Sequence, residues 1–292
     1  MADAVGRFAP TPSGPLHLGS LASALASFLD ARAHDGRWLV RIEDLDEPRI
    51  HPGAEAGILK TLESHSLCWD GKVLRQSERR EHYDAALARL TEAGHCYPCA
   101  CSRREIADNG DGTVYPGTCR TGPPARRKPR AIRVRTDLTP YAFDDRAHGV
   151  IEQVLERDIG DFVVKRADGP HAYQLAVVVD DAAQGVTQVV RGADLLLSTP
   201  RQLHLQRLLG LSTPRYLHHP VALDDAGAKL SKSAGAAALD PRSPGHNLFR
   251  ALEVLRQDPP AALARAAVPE VLAWARHAYD PSRYGSRYIR RT

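Results

Sequence analysis

The chain has 292 residues and a mass of 31.9 kDa, enough for one large hydrophobic core or two modest ones. Hydrophobic residues at 43% and charged residues at 25% sit near the globular average, which excludes disordered, fibrous and membrane-spanning classes. A net charge of +4 is too small to specify a nucleic-acid partner by itself.

The N-terminus lacks the charged-then-apolar layout of a signal peptide, and no apolar run approaches the roughly 18 residues of a membrane span. A cytoplasmic protein with no membrane partner is expected. Charge is unevenly spread: Arg120 to Arg135 contains seven basic residues and no acidic one, and Arg283, Arg287, Arg290 and Arg291 crowd the last ten positions. Either stretch could meet a phosphate backbone; the first reads equally as a solvated linker, and the second reads rather as a frayed tail.

In chain order, Val5–Phe8 predicts a short strand, followed by a turn built from Pro10, Pro12, Gly14 and Pro15. Leu18, Leu21, Ala22, Leu25, Phe28 and Leu29 then recur at helical spacing with Arg32 as the first break, so one stripe of a helix is expected to face a core. Arg37–Ile42 reads as a buried strand. Strand, helix, strand is the opening of a parallel α/β sheet. Helices are expected over Ala54–Ser64 and Glu78–Ala93, the second stopped by Gly94.

A cysteine-rich stretch from Cys96 to Cys119 and a Gly/Pro/Arg linker from Gly122 to Pro129 look like a subdomain inserted into the sheet. Strand-like runs return at Phe162–Lys165 and Val186–Arg191, with an apolar segment at Leu175–Val179 and a helix at Thr199–Leu209. Beyond Asp240 the composition turns to Ala, Arg, Leu and Pro, which predicts a short helical appendage with no further strands. The expected organisation is a first catalytic half (1–94), an insert (95–158), a second catalytic half (159–240) and a helical C-terminal region (241–292).

Two distant segments carry the chemistry. At the first turn, Gly19 lets backbone approach a ligand, and the helix start at Leu18 offers unpaired N–H groups and a positive dipole end that suit a triphosphate. His17 can donate to a phosphate oxygen there. The second segment, Gly227 to Gly235, sets Lys229 and Lys232 among small and hydroxylated residues, Ser231 included, between hinge glycines. Such a loop can close on a pyrophosphate leaving group.

Together, His17-Leu18-Gly19-Ser20 and Lys229-Leu230-Ser231-Lys232-Ser233 resemble the two signature motifs of class I aminoacyl-tRNA synthetases. Arg7-Phe8-Ala9-Pro10-Thr11 and Arg41-Ile42-Glu43-Asp44 resemble the opening of the glutamyl- and glutaminyl-tRNA synthetases, as do the segments around Tyr173 and Arg191. The likeness runs from Gly6 to about Ser233.

The resemblance implies a Rossmann-type catalytic domain of α/β class and a site for ATP with Mg2+ at Pro10, His17, Gly19, Ser20, Lys229, Ser231 and Lys232. His17 and Lys232 would be the catalytic groups. It further implies a glutamate site at Arg7, Phe8, Ala9, Pro10, Thr11, Glu43, Tyr173 and Arg191. The chemistry of the residues agrees: two carboxylates and an ammonium call for fixed cations and one anion, which Arg7, Arg191 and Glu43 supply.

The five cysteines include a close group in a chain without secretory features, pointing to a metal site rather than disulfides. Cys99-x-Cys101 with Cys119 supplies three ligands. Ligand chemistry alone favours His95 or Cys96 as the fourth; the resemblance implies Tyr115 and a single structural Zn2+.

Only some sixty residues follow the Lys-Leu-Ser-Lys-Ser loop, so no anticodon-binding region is expected. In this the chain resembles truncated members of the family, monomers that attach L-glutamate to the queuosine base at the wobble position of tRNA(Asp). Two rival expectations stand beside that one: charging of the 3′ end of tRNA(Glu), and a non-catalytic paralogue that binds nucleotide or RNA.

Overall fold

The structure is a computed structural model that describes residues 4–108, 114–222 and 237–285. Ten strands and nine α-helices are found among them. Four early elements match the sequence reading closely, β1 (Val5–Phe8), α1 (Leu18–Ala33), β2 (Arg37–Ile42) and α2 (Ala54–Ser64), and a short strand not anticipated there, β3 (Leu74–Arg75), follows them.

β1 pairs parallel with β2, and β2 with β3. On the other side of β1 runs β9 (Gln188–Gly192), joined by the Thr187 N–H donating to the Val5 carbonyl at 3.0 Å and the Val5 N–H donating to Thr187 Oγ1 at 2.9 Å. β9 pairs parallel with β10 (Arg215–His219). β10 pairs parallel with β6 (Pro140–Asp145) at Tyr216 opposite Asp145, and β6 turns antiparallel into β7 (Gly149–Val154). Parallel neighbours from distant parts of the chain are what crossover helices produce.

α1 departs from the one-stripe expectation. Leu21 to Ala31 are buried almost continuously, because α1 packs on β1, β2 and β9 with one face and on α8 (Pro244–Val254) and α9 (Val268–Ala278) with the other. Leu248, Leu252, Val271 and Leu272 share one core with Leu21, Leu25 and Phe28. The C-terminal helices thus close the core over α1.

A second core lies across the sheet, where α3 (Arg80–Glu92), α6 (Tyr173–Ala183) and α7 (Thr199–Leu209) meet. The Leu175–Val179 run is helical despite three consecutive valines. Its burial against α3 and α7 outweighs the weak local preference of β-branched residues for strand.

A separate antiparallel sheet, β4 (Cys96–Cys99), β5 (Ala131–Val134) and β8 (Phe162–Lys165), backs the cysteine stretch together with α4 (Arg103–Asp108) and α5 (Leu155–Asp158). Strand pairing therefore divides the middle of the chain by partner: β8 joins β4 and β5, whereas the β6–β7 hairpin joins β10. Among the described residues no helix is long and apolar enough to cross a membrane.

Candidate active site

A cavity of about 700 Å³ opens at the C-terminal ends of β1, β2, β9 and β10. In parallel α/β sheets this end is where loops diverge and a ligand can enter between strands. Arg7, Phe8, Ala9, Pro10 and Thr11 line it from β1 and the turn beyond. Glu43 follows β2, Tyr173 opens α6, Arg191 ends β9, and His17, Gly19 and Ser20 come from the start of α1. All of the expected ligand-binding residues that are described converge on this one space.

The two expected arginines are held differently. Arg7 donates through Nε to both oxygens of Asp181, at 3.2 and 3.4 Å. Arg41, fully buried, donates to Asp181 at 2.7 Å and to Glu43 at 3.3 Å. Asp181 is held below the usual carboxylate range: burial raises it, but Arg7 and Arg41 more than offset that. Glu43 is raised, because burial outweighs the attraction of Arg41 and Arg7. The backbone places it too, since the Glu43 N–H donates to the Pro10 carbonyl at 3.0 Å.

Neighbouring Asp180 accepts from Gln76, Arg79 and Tyr83 at 2.7 to 2.8 Å, which anchors α6 to α3 and to the 3-10 turn Gln76–Arg79 preceding it.

Arg191 has neutral partners. Its short bonds run to Thr199 Oγ1 at 2.8 Å, Gln202 Oε1 at 2.9 Å and His218 Nε2 at 3.0 Å. Longer ones run to Tyr173 Oη at 3.4 Å and the Leu195 carbonyl at 3.5 Å. Among the described residues no carboxylate ion-pairs with it. A buried cation without a counter-ion is costly. A carboxylate placed in the cavity would offset that cost by displacing the two long contacts, both of which come from cavity-lining residues.

At the other end of the cavity His17 caps α1, its Nδ1 accepting from the Ser20 N–H at 3.4 Å. That bond puts the proton of a neutral imidazole on Nε2. A Cβ at Gly19 would lie 3.1 Å from the His17 ring, so a side chain there would require the imidazole to shift by a few tenths of an ångström. Lys229, Ser231 and Lys232 lie outside the described residues. The described chain on either side meets the site: Ala222 lines the cavity, and Ala238 is bridged to His17 with the Leu239 N–H donating to the Leu16 carbonyl at 3.2 Å.

The cysteine group forms a second centre. The Sγ atoms of Cys99, Cys101 and Cys119 all lie within 4.8 Å of one another, with Cys101 and Cys119 at 3.6 Å. Tyr115 Oη stands 3.4 Å from Cys99 Sγ and 3.7 Å from Cys101 Sγ, and accepts from the Cys119 N–H at 3.0 Å.

Tetrahedral zinc with three thiolates and one oxygen needs ligand–ligand separations of about 3.5 to 3.8 Å. The Cys99–Tyr115, Cys101–Tyr115 and Cys101–Cys119 separations fall close to that range. Cys96 belongs to the second core instead, where burial pushes its thiol up to about 12. Arg133 donates through Nε to Cys99 Sγ at 3.3 Å and stacks over the Tyr115 ring at 3.8 Å, placing a cation beside the cysteine group. Gly160, at φ 73°, lets the chain pass so close that a Cβ there would come within 2.2 Å of the Tyr115 carbonyl.

Sequence reasoning did not anticipate Asp181, Arg41, His218, Gln202 or Thr199 as parts of this site. Asp181 has no partner nearby in sequence, and Arg7 and Arg41 reach it only where α6 packs beside β1 and β2. Residues 4–243 match the catalytic-domain model of the class I tRNA synthetases for E and Q. The chain belongs to that family.

The chain is 57% identical over 275 residues to the glutamyl-Q tRNA(Asp) synthetase of Thiobacillus denitrificans, covering 93% of this chain and 91% of that one. It is 54% identical over 279 residues to the protein of the same name from Pseudomonas aeruginosa, covering 96% and 94%. Among solved structures, the glutamate-tRNA synthetase of Elizabethkingia anophelis superposes with a TM-score of 0.78 at 23% identity, over 97% of this chain and 67% of that one, which establishes the shared fold.

Proposed function

We propose that this chain activates L-glutamate with Mg-ATP to glutamyl-adenylate and transfers the glutamyl group to queuosine at the wobble position of tRNA(Asp), acting as a cytoplasmic monomer. The observation that carries the amino-acid half is Arg191, a buried cation with only neutral described partners, sharing a cavity with Glu43 and Arg7. A ligand with two carboxylates and an ammonium matches that set. The acceptor half rests on relatives of nearly the same length whose name specifies it.

In the first step a glutamate carboxylate oxygen bonds to the α-phosphorus of ATP while the bond to the β-phosphate oxygen breaks and pyrophosphate leaves. The protein's part is placement and charge. Arg191 and Arg7 hold carboxylates, Glu43 takes the ammonium, and Tyr173 adds a neutral hydroxyl. His17 Nε2–H and the α1 N-terminal amides stabilise charge on the phosphates, each such donor contributing on the order of 3 kcal/mol.

Lys229 and Lys232 neutralise the leaving pyrophosphate, so Lys232→Ala depresses ATP–pyrophosphate exchange by orders of magnitude. In the second step a nucleophile on queuosine attacks the activated carbonyl and AMP departs. One Zn2+ held by Cys99, Cys101, Tyr115 and Cys119 would serve structure, replacing a core that so small a subdomain cannot build.

The test is transfer of labelled glutamate to tRNA(Asp) bearing queuosine, to the same tRNA with guanosine at that position, and to tRNA(Glu). Incorporation confined to the first is expected. Incorporation only on tRNA(Glu) overturns the acceptor, and absence of glutamate-dependent exchange overturns the enzyme reading altogether.

A further inference from the structure

His218 lies at the end of β10, wholly buried, between Arg191 on β9 and Asp145 on β6. The Arg191 Nε–H faces His218 Nε2 at 3.0 Å. A guanidinium can only donate, so Nε2 must be the acceptor and carry no proton. The proton of the neutral ring then sits on Nδ1, which stands 2.6 Å from Asp145 Oδ2 and donates to it.

Asp145 is itself fixed as an anion. It accepts from the N–H groups of Ala147 and His148 at 3.1 Å each, and its carboxyl is held below the usual range, burial being outweighed by the His218 and backbone hydrogen bonds. Every bond in the chain has one available direction.

We infer that Asp145 and His218 are positioning residues for Arg191: the carboxylate fixes the imidazole in its Nδ1–H tautomer, and the exposed Nε2 lone pair locks the guanidinium with its terminal nitrogens turned to the ligand carboxylate. This rests on the reading of Arg191 as a glutamate-binding residue.

The arrangement differs from Arg7 in a way that matters for binding. Arg7 touches its counter-ion Asp181 directly, so part of its charge is already spent. Arg191 is linked to the Asp145 carboxylate through an intervening imidazole, which sets an anion behind the buried cation without occupying its terminal N–H groups. The geometry depends on the β6–β7 hairpin docking on β10 at the Asp145–Tyr216 register, so a segment read from sequence as part of an insert completes the amino-acid pocket.

The groups facing the His218 ring are consistent with a permanently neutral imidazole. Burial above all, then Arg191 and His148, push it down to about 4 against the opposing pull of Asp145. Tyr216 stacks on the ring with an interplanar angle of 10°.

Two measurements test the inference. The first needs no substrate: histidine nitrogen resonances of the 15N-labelled protein, recorded from pH 6 to 8, should show His218 with Nδ1 protonated and Nε2 bare. In Asp145→Asn, whose amide can donate to Nδ1, a second population with the proton on Nε2 should appear. A proton on Nε2 in the wild type overturns the inference whatever the enzyme does.

The second is glutamate-dependent ATP–pyrophosphate exchange. His218→Leu, which removes the acceptor, should raise the glutamate KM about tenfold or more with the ATP KM within about twofold of wild type. His218→Gln, whose carbonyl can accept from Arg191, should recover most of that loss. A normal glutamate KM in His218→Leu, or a Gln variant with wild-type melting that is as impaired as Leu, overturns the relay. Absence of exchange in the wild type sinks the proposed function and leaves the tautomer result standing.

Discussion

Arg7 and Asp181, 174 positions apart, meet through a guanidinium nitrogen bonded to both carboxylate oxygens, and the same carboxylate also neutralises buried Arg41. One anion from α6 therefore supports two cations from neighbouring parallel strands. Asp181→Ala would leave Arg7 without its ion pair and Arg41 with Glu43 and the more distant Asp180, with a stability loss of about 3 to 5 kcal/mol expected from urea unfolding. The glutamate KM should rise in the fraction that stays folded. A loss below about 1 kcal/mol would mean that the two arginines find other partners.

Glu43 gives the site an acid limb of its own. Burial raises its carboxyl, so it takes up a proton at a higher pH than an exposed glutamate and then no longer attracts an ammonium. Glutamate binding, measured as 1/KM in exchange, should fall on acidification before the ordinary carboxylate range is reached. Glu43→Gln should bind weakly at every pH and lack that limb.

Stability follows the opposite sign at the two kinds of carboxyl. A raised native value means that protonating Glu43 favours the fold, so this loss of binding precedes unfolding. Asp181 is depressed, and its contribution is fully present above the unfolded value of about 3.9 and lost as pH falls through its lower native value.

Arg133 should govern how firmly the cysteine centre holds a metal. It bonds Cys99 Sγ and covers the Tyr115 ring, and Cys99 is held below the usual thiol value: burial raises it, but Tyr115, the backbone of Cys101 and Arg133 more than offset that. Arg133→Met should weaken Zn2+ about 10- to 100-fold in competition with a chromophoric chelator. An unchanged affinity would show that Arg133 only packs against the cluster.

Gly160→Ala tests the same centre through the backbone. The new Cβ would meet the Tyr115 carbonyl at a left-handed φ, so strain and displacement add together. A loss of about 2 kcal/mol in melting experiments is expected, together with weaker zinc retention. Wild-type melting would show that the two segments separate freely.

The sequence by itself carried β1, β2, α2 and α7 at their observed bounds and α1 at its observed start, because each follows a local rule of period, cap or breaker that needs no distant partner. It also nominated part of the cavity lining, since Arg7, His17, Glu43, Tyr173 and Arg191 stand in short motifs, but not neighbours such as Gln76, Arg166 or His171.

What it could not carry was anything decided by pairing across the chain. β6, β7 and β10 are short and bear polar residues such as Asp145 and His218, whose burial makes sense only once they face each other. The helical state of Leu175–Val179 and the two-sided burial of α1 depend on α3, α7, α8 and α9 arriving to cover them. Whether an arginine is neutralised directly, as Arg7 is, or through an intervening histidine, as Arg191 is, depends on which strand lies beside it. That is a property of sheet order and register, which local patterning does not encode.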